Sequence, residues 1–177
     1  MTESNPDPNP HPVIPADAEL ARLVEALAGA LTARGWMLAA AESCTGGWIA
    51  KCCTDLAGSS AWFESGVVSY SNDAKRQLLD VDAGVLEREG AVSRAVALQM
   101  AQGARRRSGA DAALAVTGIA GPDGGSADKP VGTVWFGWAV GDRPAEAERR
   151  LFGGNREAVR RQTVAHALRG LLERLPS

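Results

Sequence analysis

The fold of this chain is decided by WMLAAAESCTGGWIAKCCTDLAG, residues 36 to 58. Its first part, WMLAAAES, is a short apolar run of the kind that forms a buried strand, and it ends at Ser43. The last part, TGGWIAKCCTDLAG, has helical spacing and is closed by Gly58. Gly46 and Gly47 stand near the start of this last part. The pattern predicts a strand, a tight turn that carries Ser43, and a helix.

Further elements are predicted on both sides of this unit. An amphipathic helix with Asp17 as its N-cap precedes it, and the strand AWFESGVVSYS and a short helix capped by Asn72 or Asp73 follow it. A long helix begins at Ser93, the buried strand ADAALAVTGIAG comes next, and VGTVWFGWAVG and AEAERRLF form an antiparallel hairpin around GDRP. Asn155 caps the last helix. This order predicts an α/β fold, a three-layer α/β/α sandwich with a mixed, mostly parallel sheet.

Composition indicates one globular domain behind a short tail. The chain has 177 residues, 45% of them hydrophobic and 23% charged, enough to bury a core over residues 17–177. Residues 1–16 are rich in proline and polar residues, which predicts a disordered tail. The start of the chain lacks the pattern of a signal peptide, and no run is long enough to span a membrane, so we expect a cytoplasmic protein without membrane contact.

Charge and cysteine content exclude two classes of function. The formal net charge is −2 with both signs interspersed, which argues against a nucleic-acid-binding surface. The three cysteines, Cys44, Cys52 and Cys53, lack the spacing of a zinc site or a disulfide framework. Cys52 and Cys53 are therefore interpreted as small core residues.

Three strand ends carry polar or glycine-rich segments: ESCTGG (42–47), YSNDAK (70–75) and TGIAGPDGG (117–125). In an open α/β sheet, ligands bind where the carboxyl ends of strands meet helix N-termini. Ser43 is thus a candidate nucleophile beside backbone N–H donors, although Ser43 or Thr45 could equally cap the following helix. Cys44 is the stronger intrinsic nucleophile, but no motif supplies it with a histidine base.

A serine nucleophile without a histidine needs another base, and Lys75 is the best candidate. A buried lysine with a lowered pKa can act as a neutral amine, and Tyr70, five residues earlier, offers a phenol to orient a proton. Lys51 and Lys129 compete for this role from a helix and a loop. His166 lies inside the last helix, where a structural role is expected.

The remaining candidates concern an anionic group. GIAGPDGG matches no known phosphate-loop pattern, and it fits either a wide turn or a loop that approaches a ligand. Asp123 within it has no partner carboxylate for a metal ion and is expected to form a turn. Arg156 in the first turn of the last helix, with Arg160 one turn later, could clamp a phosphate, although a solvated helix face is the alternative.

Taken together, AESCTGG, GSSAWFESGVVSYSNDAK, GAVS, AVTGIAGPDGG, KPVGTVWF and NREAVR closely resemble the CinA C-terminal domain family over roughly residues 18–174. Its stand-alone members are bacterial nicotinamide-nucleotide amidohydrolases. The resemblance implies hydrolysis of the carboxamide of nicotinamide mononucleotide in pyridine-nucleotide recycling, with no metal or other cofactor. Many members carry an additional N-terminal domain, which is not expected here, so no activity of that domain is assigned.

The resemblance also implies the site. Ser43 corresponds to the nucleophile and Lys75 to its base, while Tyr70 and Thr117 are expected to position the amine and the hydroxyl. Arg156 is expected to hold the substrate phosphate. The substrate is further expected to contact backbone around Thr45, Gly46 and Gly47, which would hold the oxyanion, and around Gly118 and Gly121 of the glycine-rich loop.

Two other function classes stay open. A non-catalytic nucleotide-binding module would keep the loop and Arg156 but tolerate replacement of Ser43 and Lys75. A regulatory module tied to competence is suggested by the family name, although the balanced charge argues against nucleic-acid contact. We also expect a homo-oligomer, with the apolar strand TVWFGWAV as a possible interface.

Overall fold

The computed structural model describes residues 12–177, and six α-helices and five β-strands follow one another along this part of the chain. The helices are α1 (Asp17–Arg34), α2 (Trp48–Asp55), α3 (Asn72–Leu79), α4 (Ala83–Glu89), α5 (Arg94–Ser108) and α6 (Arg156–Arg174). The strands are β1 (Leu38–Glu42), β2 (Phe63–Val68), β3 (Ala112–Gly118), β4 (Thr133–Val140) and β5 (Glu146–Leu151). Most of the predicted tail, residues 1–16, thus lies outside the described residues.

The strands form a single mixed sheet in the order β2-β1-β3-β4-β5. β1 pairs in parallel with both β2 and β3, and β4 pairs antiparallel with both β3 and β5. Four of the five strands therefore point the same way, and only β4 runs against them. The predicted mixed sheet and the predicted β4–β5 hairpin are both confirmed.

Helices cover both faces of the sheet because the strand side chains alternate between two cores. In β1, Leu38 and Ala40 pack with α1, α2 and α6, whereas Ala39 and Ala41 pack with α3, α4 and α5. The second core is built mainly of alanines, so α5 lies close to the sheet: a Cβ atom on Gly137 of β4 would be 2.2 Å from a backbone oxygen of α5. The three-layer sandwich is confirmed.

The same alternation sends two neighbouring polar side chains to opposite layers. Glu42 has the parity of Leu38 and Ala40 and points towards α2, and Ser43 has the parity of Ala39 and Ala41 and points towards α3. Because β1, β2 and β3 are parallel, the segments that follow them meet at one end of the sheet. β5 ends there too, so it delivers the N-terminus of α6 to the same place.

Several helix boundaries differ from those predicted. Ala16 rather than Asp17 is the N-cap of α1, since the Asp17 carboxylate pairs with Arg161 of α6 instead. Ser71 rather than Asn72 or Asp73 caps α3, accepting the N–H of Ala74 at 3.0 Å. Helix α2 ends at Asp55, before Gly58, and the short helix α4 was not predicted. The caps Ser93 and Asn155 are confirmed.

The apolar strand predicted as a possible oligomer interface is internal. β4 pairs with a strand on each side, and its side chains lie in both cores, so the expectation that it forms an interface is wrong. In the described part of the chain the edge strands of the sheet are β2 and β5. None of the helices described is long and apolar enough to cross a bilayer.

Candidate active site

Ser43 and Lys75 are in direct contact at the carboxyl end of the sheet. Ser43 follows β1 directly, and its backbone N–H donates to the Val116 carbonyl of β3 at 3.1 Å. Lys75 lies in the first turns of α3, and its Nζ is 2.9 Å from Ser43 Oγ. Ser43 is 8% exposed and Lys75 only 1%. Two residues 32 positions apart thus form a buried hydroxyl–amine pair.

The surroundings of the Lys75 amine favour its neutral form. Besides Ser43 Oγ, Nζ contacts the backbone carbonyls of Ser69 at 2.7 Å and Tyr70 at 3.2 Å. No carboxylate within the described residues forms an ion pair with it. Burial lowers the pKa of Lys75 from 10.5 to about 8. A neutral amine has two N–H donors for the two carbonyls and one lone pair for the serine hydroxyl, which matches the three contacts.

Glu42 determines the conformation of the turn that carries Ser43. Its buried carboxylate accepts the Thr45 hydroxyl at 2.5 Å and the backbone N–H groups of Gly47, Ile49 and Ala50 at 3.1, 3.1 and 2.8 Å. It therefore fills the anion site at the N-terminus of α2. The alternative that Ser43 or Thr45 caps this helix is wrong, because Glu42 does so. Glu42 was not among the predicted site residues, although its parity within β1 indicates a side chain directed towards α2.

The backbone donors of the turn are distributed differently from the expectation. The N–H of Gly46 donates to the Ser43 carbonyl at 3.1 Å, and that of Gly47 donates to Glu42. The N–H groups of Cys44 and Thr45, by contrast, have no acceptor within residues 12–177. Thr45 is fully buried, whereas Cys44 retains 6% exposure. Among residues 44–47 this leaves the Cys44 N–H as the candidate donor to an oxyanion.

The side-chain hydroxyls of Tyr70 and Thr117 form no hydrogen bond with Ser43 or Lys75. The Thr117 hydroxyl donates to the Ala91 carbonyl at 2.9 Å, and the Tyr70 hydroxyl accepts from Arg156 at 3.4 Å. Tyr70 contacts the lysine amine only through its backbone carbonyl. Within the described residues no hydrogen bond of these two hydroxyls supports the expectation that they position the amine and the serine, so that role stays a prediction. The carbonyls of residues 69 and 70 hold the amine.

Arg156 links the site to the glycine-rich loop. Its Nη1 donates to the Gly121 carbonyl at 2.8 Å, and its side chain is exposed beside Tyr70, which is 62% exposed. The glycines themselves are explained by packing: a Cβ on Gly118 would lie 2.7 Å from Val134, and one on Gly121, where φ is +82°, would lie 2.5 Å from Val131. Neither glycine therefore requires a ligand to account for it.

Arg160 has a different environment from the predicted phosphate clamp. Its Nε donates to the Cys44 carbonyl at 3.1 Å and its Nη2 to the Thr45 carbonyl at 2.9 Å. Both donors are therefore engaged by the turn that carries Ser43. Of the two arginines, Arg156 alone is exposed beside the glycine-rich loop.

The competing candidates lie away from this pair. Lys51 is exposed and paired with Asp55, and Lys129 is half-buried and donates to the Glu89 carbonyl. His166 packs against aromatic rings of β4, and burial lowers its pKa. Burial also raises the pKa of the Cys44 thiol to about 12, so the thiolate that a cysteine nucleophile requires is disfavoured.

A cavity of about 810 Å³ lies between α1, α2 and α6, and neither Ser43 nor Lys75 lines it. It borders the opposite side of the turn, at residues 45–47. No group of three His, Cys, Asp or Glu side chains in the described part of the chain is placed to hold a metal ion.

Comparisons with known proteins agree over nearly the whole described chain. Residues 20–175 match the family model described as the CinA C-terminal domain. Nicotinamide-nucleotide amidohydrolase PncC of Escherichia coli (strain K12) is 54% identical over 155 residues, which cover 88% of this chain and 94% of that protein. The protein of the same name from Pseudomonas putida is 57% identical over 133 residues, covering 75% and 82% respectively.

Solved structures show the same fold. The competence/damage-inducible protein CihA from Agrobacterium tumefaciens superposes with a TM-score of 0.86 at 45% identity, covering 91% of this chain and 97% of its own. The competence damage-inducible protein A (ComA) from Klebsiella pneumoniae gives a TM-score of 0.84 at 42% identity, covering 88% and 96%.

Proposed function

Because the chain belongs to the CinA C-terminal domain family, we propose that it is a nicotinamide-nucleotide amidohydrolase. It hydrolyses the carboxamide of nicotinamide mononucleotide to nicotinate mononucleotide and ammonia, within pyridine-nucleotide recycling. The relatives that carry this name match over most of both chains, which supports the substrate class. The observation that carries the chemistry is the buried Lys75 Nζ, 2.9 Å from Ser43 Oγ.

The proposed reaction has two halves. In the first, the neutral Lys75 amine takes the proton of the Ser43 hydroxyl, and Ser43 Oγ attacks the carboxamide carbon. The Cys44 N–H donates to the oxyanion that forms on the carboxamide oxygen. Lys75 then gives the proton to the departing amide nitrogen, and ammonia leaves an acyl ester on Ser43. In the second half, water attacks this ester with Lys75 again as base, which releases nicotinate mononucleotide.

Substrate orientation is assigned to Arg156 and the residues around it. Arg156 is exposed next to Tyr70 and to the Gly121 backbone, which supports its assignment as the contact to the 5′-phosphate. The resemblance assigns Tyr70, Thr117 and the loop at Gly118 and Gly121 to the same site. A homo-oligomer, a cytoplasmic location and the absence of nucleic-acid partners stay predictions.

The test is ammonia release from nicotinamide mononucleotide in the presence of EDTA. The unsubstituted protein should release ammonia, and Ser43→Ala and Lys75→Ala should each lower kcat by about a thousandfold or more. Lys51→Ala is the matched control, because Lys51 is an exposed lysine paired with Asp55, and it should keep full activity.

Other outcomes would favour the rival functions. Nucleotide binding without ammonia release by the unsubstituted protein would indicate a non-catalytic binding module. Near-normal turnover by Ser43→Ala would refute the covalent mechanism. Binding of single-stranded DNA that weakens steeply with salt would favour the competence-related regulatory module.

A further inference from the structure

Arg160 of α6 forms two hydrogen bonds with the turn that carries Ser43. Its guanidinium donates from Nε to the Cys44 carbonyl and from Nη2 to the Thr45 carbonyl, at 3.1 and 2.9 Å. The side chain is half-buried, and its guanidinium carbon lies 5.4 Å from the centre of the Trp48 ring. Arg160 thus bridges the last helix and the two residues that follow Ser43.

These contacts reach the candidate oxyanion donor through two rigid peptide groups. The Thr45 carbonyl held by Arg160 belongs to the same planar peptide as the Gly46 N–H. That N–H donates to the Ser43 carbonyl at 3.1 Å. The Ser43 carbonyl in turn shares its peptide plane with the Cys44 N–H. The direction of the Cys44 N–H is therefore set by a chain of contacts that begins at Arg160.

We infer that Arg160 is a positioning residue for catalysis, which orients the Cys44 N–H towards the oxyanion through these peptide planes. The inference rests on the proposed function in taking Ser43 as the nucleophile. It assigns the Nε and Nη2 donors to the turn rather than to the substrate, because both donate to backbone carbonyls.

Arg161 provides a matched control on the same helix. Its guanidinium carbon lies 5.0 Å from the same Trp48 ring, but its donors contact Asp17 and the Pro15 carbonyl rather than the turn. Replacing Arg161 therefore removes an arginine of the same charge and similar surroundings without releasing the carbonyls of residues 44 and 45.

The experiment compares Arg160→Met, Arg160→Lys and Arg161→Met in two reactions. One is ammonia release from nicotinamide mononucleotide; the other is labelling of Ser43 by a fluorophosphonate, which lacks the substrate phosphate. Arg160→Met should lower kcat and the labelling rate together by about 10- to 100-fold, with KM changed less than about threefold. Arg160→Lys keeps one donor and should lose less, and Arg161→Met should match the unsubstituted protein.

The two readouts separate the possible failures. A raised KM with an unchanged labelling rate would make Arg160 a phosphate ligand and overturn the inference, as would unchanged kcat and labelling. If the unsubstituted protein is labelled but releases no ammonia, the proposed substrate is wrong. The labelling rate of Arg160→Met relative to the unsubstituted protein then tests the inference by itself. No labelling of the unsubstituted protein would overturn the inference. If Arg160→Met does not fold, Arg160→Lys decides.

Discussion

The turn after β1 and the turn after β2 lie side by side, and each is associated with one buried ionisable side chain. Glu42, the last residue before the first turn, is surrounded by donors, three backbone N–H groups and one hydroxyl. Lys75, in the helix after the second turn, contacts neutral oxygens, two carbonyls and the Ser43 hydroxyl. Both side chains are at most 1% exposed. They differ in whether the neighbouring groups stabilise the charged form of the side chain.

This difference gives Glu42 a structural role and Lys75 a chemical one. Four donors stabilise a carboxylate, so the Glu42 charge holds the start of α2 and the turn that carries Ser43. Neutral oxygens without an anion leave an ammonium uncompensated, so burial instead favours the uncharged, basic form of Lys75. The turn that Glu42 holds therefore lies next to a lysine amine whose pKa is lowered by burial.

The largest effect is expected when the Lys75 amine is removed. Lys75→Met preserves the apolar volume of the side chain but leaves Ser43 without a base, so kcat should fall by about a thousandfold. Lys75→Arg should be equally impaired, because a guanidinium stays protonated. Ammonia release measures both variants. Substantial activity in Lys75→Arg would show that the amine acts as a hydrogen-bond donor rather than as a base.

Thermal unfolding at two pH values serves as the folding control for this prediction. The folded pKa of Lys75 is lowered to about 8, whereas the ordinary value is 10.5. Between these values the unfolded chain holds a proton at this site that the folded chain does not, so stability rises with pH across this window. Lys75→Met removes that dependence. It should be stabilised relative to the unsubstituted protein below pH 8, and the difference should shrink towards pH 10.5.

The next largest effect concerns pH. Because the neutral amine is the active form and the pKa is about 8, kcat/KM should rise with pH and level off above that value. Below it, the active fraction falls about tenfold per pH unit, which predicts a loss of about a hundredfold two units below the pKa. Initial rates measured from neutral to alkaline pH give the profile. A rate that keeps rising past pH 10 would mean that the amine behaves as an exposed lysine.

The two turns also show what sequence reasoning could predict. The strand, turn and helix around Ser43 follow from local patterns, and parallel strands necessarily bring residues 43, 70 and 117 to one end of the sheet. Local patterns made Lys75 the best candidate base but left Lys51 and Lys129 as competitors, and the family resemblance selected Lys75, 32 residues from Ser43. Local spacing contains no information on such a contact.

What the sequence could not predict are the partners of individual hydroxyls and guanidinium groups. Thr117 donates to a carbonyl 26 positions away, and Arg160 reaches a turn more than a hundred positions away. Both contacts depend on how α5 and α6 pack on the sheet. An apolar run such as β4 is likewise typical of an internal strand and of an interface, and only the pairing on both sides distinguishes the two.

The smallest expected effect tests the supporting half of the comparison. Glu42→Gln replaces one acceptor oxygen by an amide that faces backbone N–H groups, so donors at the start of α2 lose their partner. The free energy of unfolding should fall by about 1–3 kcal/mol. Because the turn loosens, kcat should fall about tenfold while the pH profile keeps its midpoint, since Lys75 is untouched.

Denaturant unfolding and ammonia release measure the two effects, and Glu64→Gln on the exposed side of β2 is the control, expected to change neither. A displaced pH midpoint in Glu42→Gln would mean that the Glu42 charge acts on the lysine directly. Unchanged stability and kcat would mean that the turn holds its shape without the carboxylate, through Arg160 and the glycines alone. Either result would contradict the assignment of a structural role to Glu42 and a catalytic role to Lys75.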